Sequence, residues 1–467
     1  STLAQMRELE RILGNWSYGK FTVTSTLAPL VTVSSSFIND RGERNAGPIS
    51  DFAQAEVRKM GYDPAQYNTV VILGDGIGGV AWGNTAAYGG GFSTLVHEVG
   101  HRIGAWHSGT WITQDGTSYG FPGANQDPNV TGEWDWIYGN SFDVMGDGAV
   151  YRDGGRFNVG DAIRLGWLAP GEFHQAEQSG TYRIHAYDQN RLEHGKQYGF
   201  VARKNAVKNY YLEFRSGLGG VLSESALLLV GGPSENRLVD TTPETPMPRG
   251  WNGGKRDLGI SLGQTFSDLE ADMHLTVIGR NSTTPPSLDV VYQKGPSPGN
   301  VAPQLDAITT SADQVAVGGS ITFDASTATD ANGDTLAYHW EFDDGVRVGN
   351  QAVVTRSFAT AAQVTAMVTV SDMKGGRVRR HVVVTAGNPG RQVVTGTVAL
   401  NGQPLEHVRI SASNGKFAYT DRSGNYALAN LPTGETTLTA ILNGHAFEAS
   451  QANPVNVAAG ANVVDWV

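Results

Sequence analysis

The sequence predicts a multidomain chain, an α/β unit followed by three β-rich, sandwich-like modules. Three observations carry this. The 467 residues exceed one domain, and length alone suggests about three. Clear helix-period apolar spacing falls within the first 168 residues, after which short runs of Val, Leu, Ile and Tyr alternate with turn residues. Pro- and Gly-rich breaks near 294–302 and at Gly387–Gly390 part the later modules. The expected units are residues 1–168, 169–295, 300–387 and 391–467.

In the first unit, Met6, Leu9 and Leu13 stand at helical spacing. Phe21–Val33, rich in Thr and Val, reads as strands. Ser50 reads as the N-cap of a helix ending near Gly61. Tyr67–Leu73 reads as a buried strand and Val80–Trp82 as an edge strand lining a cleft. Between them, Gly74–Gly79 lacks the Lys-Ser/Thr ending and the following helix of a phosphate loop, so phosphate binding is not expected. Ser93 reads as the N-cap of the next helix, with Leu95, Val96, Val99 and Ile103 as its core face. Residues 108–168 have weak periodicity and read as irregular structure closing a cleft from below.

Beyond 168, the runs Tyr182–His185, Tyr210–Phe214, Ala226–Val230, His274–Ile278 and Leu288–Val291 read as strands of a sandwich. In the third module Tyr338, Trp340 and Phe342 alternate, giving a strand with an aromatic core face. In the last module Thr420–Tyr426 reads as a hairpin turn.

The chemistry concentrates in His97-Glu98-Val99-Gly100-His101-Arg102-Ile103-Gly104-Ala105-Trp106-His107. Helix positions four apart share a face, so His97 and His101 can aim two imidazoles at one ion. Glu98, one residue along, sits at the edge of that face, offset from the ligand position but within reach of a water on the metal. Gly104 can take positive φ and end the helix in a sharp turn, so His107 returns to complete the set. Three neutral imidazoles with one open position form a catalytic zinc arrangement.

Composition narrows the class. A net charge of −11 with no Lys/Arg run argues against nucleic acid or an anionic membrane as partner. The chain has no cysteine, which excludes disulfides, thiolate metal sites and a thiol nucleophile. No apolar stretch reaches membrane-span length. The start at Ser1 without a signal peptide is read as a mature or trimmed exported product.

The motif, followed by Tyr138-Gly139-Asn140-Ser141-Phe142-Asp143-Val144-Met145-Gly146 and then Arg156–Leu168, resembles the metzincin zinc peptidases, in particular the gametolysin-like group and its bacterial relatives. The resemblance continues through Tyr210–Arg215 and Leu238–Pro243 of the second module. It implies zinc (Zn2+) on His97, His101 and His107, Glu98 as general base, and Met145 as the methionine of the family's Met-turn, an apolar floor beneath the imidazoles. Asp147 stands where some metzincins have a tyrosine ligand, and Tyr138, Tyr151 or another group is left to steady the oxyanion. Residues 303–387 resemble a PKD-type domain, with Asp343 in place of a usual glycine, and residues 393–467 a carboxypeptidase regulatory-like, transthyretin-like fold. The Asp330–Asp334 loop is either a plain polar turn or a calcium (Ca2+) site.

The expected function is that of a secreted, extracellular, bacterial-type zinc endopeptidase, monomeric, acting on proteins or glycoproteins, with no nucleic-acid partner. The C-terminal modules serve as spacers or as contacts to matrix or glycan. The alternatives are a surface- or matrix-binding protein whose zinc site is structural or vestigial, and a zinc hydrolase of non-peptide amides.

Overall fold

The structure, a computed structural model, describes residues 2–33, 44–74, 77–111, 113, 137–150, 154–232, 235–245, 257–442 and 444–467. The chain is multidomain and strongly β-rich, with few helices. Helix α1 (Thr2–Trp16) buries Leu9, Ile12 and Leu13, the face its apolar spacing marks. Residues 21–33, expected as strands, form none. Phe21 and Val23 pack on the core, but most of the segment is exposed. Thr and Val favour a strand only where a neighbouring strand completes the ladder, and this segment pairs with none among the described residues.

Helix α2 (Ala46–Lys59) starts four residues earlier than Ser50, so Ser50 is not its cap. Asn45 holds the N-cap position, Pro48 fits the first turn where no amide is needed, and the buried Ser50 Oγ accepts from Gln54 Nε2 at 3.0 Å. Three strands follow: β1 (Val70–Leu73), β2 (Val80–Trp82) and β3 (Thr85–Tyr88). Their order is β1-β3-β2, parallel between β1 and β3 and antiparallel between β3 and β2, which leaves β2 at the edge. Residues 75 and 76 of the glycine run lie outside the described residues, as do 112, 114–136 and 151–153 of the segment expected to close the cleft.

Helix α3 (Phe92–Ile103) carries the histidine motif and buries Leu95, Val96 and Val99 in the main core. Its N-cap is Gly91 rather than Ser93. The Ser93 hydroxyl instead accepts the amide of Val150 at 3.1 Å, which ties the helix start to the later loop.

The core of the first unit continues past Leu168, drawing in Tyr187, Tyr198, Leu227, Leu229 and Leu238. The link is a seven-stranded sheet. In it, β4 (Ser108–Trp111), directly after His107, pairs parallel with the strand Glu235–Val239. Next to that strand runs the strand Ser225–Gly232, buried almost throughout. Leu227 and Leu229 face the histidine-bearing unit, while Ala226, Leu228 and Val230 face a second core shared with a four-stranded sheet. An unbroken apolar run is what a strand covered on both faces requires.

Residues 309–386 form a sandwich of a three- and a five-stranded sheet around Trp340, Phe342 and Phe323, with Tyr338 half-buried beside them. Residues 392–467 form small sheets around Tyr426, Trp466 and Leu428. Polar contacts join the modules. His339 Nδ1 meets Leu262 O at 2.7 Å, Asn350 Nδ2 donates to Ile278 O at 2.6 Å, and Thr365 Oγ1 donates to Ala427 O at 3.1 Å. Among the described residues no helix is long and apolar enough to cross a membrane.

Candidate metal centre

The centre is built from two short-range devices and one long-range one. The first is the helix, which places His97 and His101 on one face with ring centroids 4.8 Å apart. The second is the turn at Gly104, which adopts φ 103°. The amides of Gly104 and Ala105 bond to His101 O (3.2 Å) and Gly100 O (2.8 Å), closing the helix end and turning the chain back. His107 then reaches His101, with 3.0 Å between their Nε2 atoms. One ring nitrogen from each of the three histidines lies within 4.8 Å of the others, and among the described residues no other His, Cys, Asp and Glu side chains converge in this way.

The third device is the loop at 140–148, which supports the histidines from below. His97 Nδ1 lies 2.7 Å from Val144 O and His101 Nδ1 3.1 Å from Ala105 O. A carbonyl can only accept, so both rings carry their proton on Nδ1 and present Nε2 as a lone pair. Burial lowers the pKa of all three rings, with mutual repulsion adding to it at His97 and His107; His97 falls to about 3 and His107 to about 4. The imidazoles are therefore neutral across the physiological range, the state a metal ligand needs.

Met145 is fully buried one residue beyond Val144. A Cβ on Gly100 of α3 would lie 2.5 Å from Met145 Sδ, so the missing side chain lets helix and methionine touch. The Met145 carbonyl accepts the Ser108 amide at 2.9 Å, pinning the loop to the strand that leaves His107.

Sequence reasoning assigned no role to Asp143. Its carboxylate is fully buried and accepts Met145 N at 2.8 Å, Asn158 N at 3.2 Å and Asn158 Nδ2 at 2.5 Å. Asn158 also donates to Asp161, and Glu213 accepts the Val159 amide at 2.6 Å. Burial, and Asp161 beside it, push the Asp143 pKa up. A polar residue inside an otherwise apolar stretch (Phe142, Val144, Met145) was the available signal, but apart from Met145 its partner is Asn158, 15 residues on and outside the stretch.

Glu98 is buried, and burial pushes its carboxyl up to about 7. The backbone at Gly79, just before edge strand β2, passes so close that an added Cβ would stand 2.5 Å from Glu98 Oε1 and 2.7 Å from Thr94 Cγ2. Gly79→Ala should therefore fold, since only side-chain ends must move, but it should displace the carboxylate. A shift of about 1 Å can cost about 10²-fold in rate. If Glu98 is the general base that the sequence resemblance implies, the expected result is retained metal with a fall in kcat, and an unchanged kcat would show that Glu98 does not need its present position.

Tyr138 lies beside the histidines, its ring centroid 4.2 Å from that of His107 and 6.0 Å from that of His97. Tyr151 is outside the described residues. At the Asp330–Asp334 loop, Asp330 Oδ1 accepts the amides of Asn332 and Asp334 at 2.8 and 3.1 Å, and Lys374 Nζ lies 2.5 Å from Asp334 Oδ1. That pattern is an Asx-type turn with a lysine as counter-ion.

No curated protein matches the chain. Among solved structures, the PKD1 domain of Vibrio anguillarum Epp is 24% identical over 19% of this chain and 96% of its own, with a TM-score of 0.16. A carbohydrate-binding module of the β-sandwich superfamily is 15% identical over 32% of this chain and 60% of its own, with a TM-score of 0.18. The major pilin subunit BcpA of Bacillus cereus is 9% identical over 36% of this chain and 71% of its own, with a TM-score of 0.13. These TM-scores are too low to carry an argument about the whole chain. By family, residues 300–386 match the PKD domain, the module whose run from Tyr338 through Trp340 and Phe342 to Asp344 and Gly345 resembles that family.

Proposed function

We propose that this chain is a secreted zinc-dependent endopeptidase of the metzincin type, hydrolysing peptide bonds of extracellular proteins or glycoproteins. One observation carries the reading. Three neutral histidines bring their nitrogens together beside a buried glutamate that immediately follows the first of them. The donor set fits zinc, since His97 and His101 each have their second nitrogen fixed by a carbonyl and the lone pair turned away from it. Zinc held by His97, His101 and His107 would lower the pKa of a water toward ~7 and polarise the scissile carbonyl.

The chain's own residues supply the rest. Glu98 takes the proton of the attacking water and later delivers it to the leaving amine. Its carboxyl is held near neutrality by burial, which suits both transfers. Among the described residues strand β2 ends its sheet, and an extended substrate can pair along that edge. Gly79 connects that edge to Glu98, so a chain lying on β2 passes the base. Tyr138, against the His107 ring, is the described side chain best placed to steady the oxyanion.

The test is incubation of the purified chain with a denatured protein, with and without a chelator. The expected result is cleavage that the chelator abolishes and added zinc restores. A folded, zinc-loaded chain that cleaves neither denatured protein nor short peptides would favour the binding-protein reading instead.

A further inference from the structure

A polar cavity of about 50 Å³ lies where three modules meet, far along the chain from the histidine centre. Its walls include Gln264 from the second module, Glu341, Arg347 and Arg379 from the PKD module, and His407 from the last. At about 10–15 Å³ per water, it has room for three or four waters or for one small ion.

The lining is strongly charged. Arg347, Arg377 and Arg379 face two carboxylates, Glu244 and Glu341. Arg347 Nε donates to Glu341 Oε1 at 2.8 Å, so that pair is internally matched. Arg379 is 6% exposed and its Nε donates to Thr369 Oγ1 at 2.9 Å, with the guanidinium stacked on the Tyr419 ring at 4.6 Å. Its Nη1 is buried with no hydrogen-bond partner. His407 is 5% exposed, and its Nε2 also lacks a partner. The nearest carboxylate oxygen, Glu406 Oε1, is 3.7 Å away, too far for a hydrogen bond. Burial, then Arg377 and Arg379, push the His407 pKa well below its ordinary value, so the ring is neutral and has one N–H to give. A buried guanidinium nitrogen without an acceptor is costly, and an anion in the cavity removes that cost.

We propose that this junction cavity binds one small monovalent inorganic anion of chloride size, held by Arg379 Nη1 and His407 Nε2, and that the anion strengthens docking of the two C-terminal modules onto the second. The two unpartnered donors call for an acceptor, the Arg379 charge favours an anion, and the volume sets the size. Anything that binds only the folded chain raises its stability with concentration, in saturable fashion.

The experiment uses the full chain, with thermal unfolding followed as chloride replaces gluconate at constant ionic strength. Constant ionic strength holds general screening fixed. The expected result is a saturable rise in Tm with chloride, and at least a tenfold weaker half-saturation in Arg379→Gln. No response to the exchange, or the same half-saturation in Arg379→Gln, would overturn the proposal. Should Arg379→Gln not fold, bromide-soaked crystals of the wild-type chain decide. An anomalous peak between Arg379 and His407 supports the site, and its absence overturns it.

Discussion

Glu98→Gln is expected to leave the chain folded and zinc-loaded while lowering peptide hydrolysis by about 10²–10⁴-fold, the usual loss on removing a general base. Gln matches Glu in shape, so the close approach of Gly79 and the contact with Thr94 are preserved. The substitution also replaces a carboxyl that burial already drives toward neutrality, so the folded state has little to lose. Loss of rate would then belong to proton transfer and not to packing. The measurement is kcat on a short peptide together with zinc content and an unfolding curve. Near-normal turnover would remove Glu98 from the proposed mechanism.

Asp143→Ala is expected to cost at least about 1–3 kcal/mol of stability, the range for leaving a buried polar group without its partner. Alanine leaves the amides of Met145 and Asn158 and the Asn158 side chain without their acceptor in a site closed to water. The loop at 140–148 then loses its anchor, and with it the Val144 carbonyl that orients His97. Zinc affinity should fall about 10–100-fold, as it does when groups that orient metal ligands are removed. Asp143→Asn keeps one oxygen and should be milder in both respects. Urea unfolding and competitive zinc titration measure the two effects. Unchanged zinc affinity in Asp143→Ala would show that the loop does not position His97.

The parts of the site read from sequence are those whose geometry is local. The four-residue step from His97 to His101 fixes a shared helix face, and Gly104 fixes the turn, without help from distant residues. The network under the loop was not legible, because Asp143, Asn158 and Glu213 belong to three separate segments that only the fold brings together. Helix caps failed for a similar reason. Ser50 and Ser93 are sound cap residues by propensity, but each hydroxyl is engaged elsewhere, by Gln54 and by the Val150 amide. Residues 21–33 have strand composition without a strand partner. Ala226–Val230 was recognisable as a strand, but nothing in it told that its second face would cover the histidine-bearing unit. The Pro- and Gly-rich run at 294–302 marks a break between modules but does not tell that His339, Asn350 and Ser371 bond across it to the second module.

The proposed function requires that His97, His101 and His107 together hold a zinc ion. Elemental analysis of the purified chain tests it most directly, comparing wild type with a His101→Ala, His107→Ala double variant shown to be folded. About one zinc per chain in the wild type and almost none in the double variant is the predicted result. Full zinc retention in the double variant, or a wild-type chain that takes up no zinc at neutral pH, would contradict it.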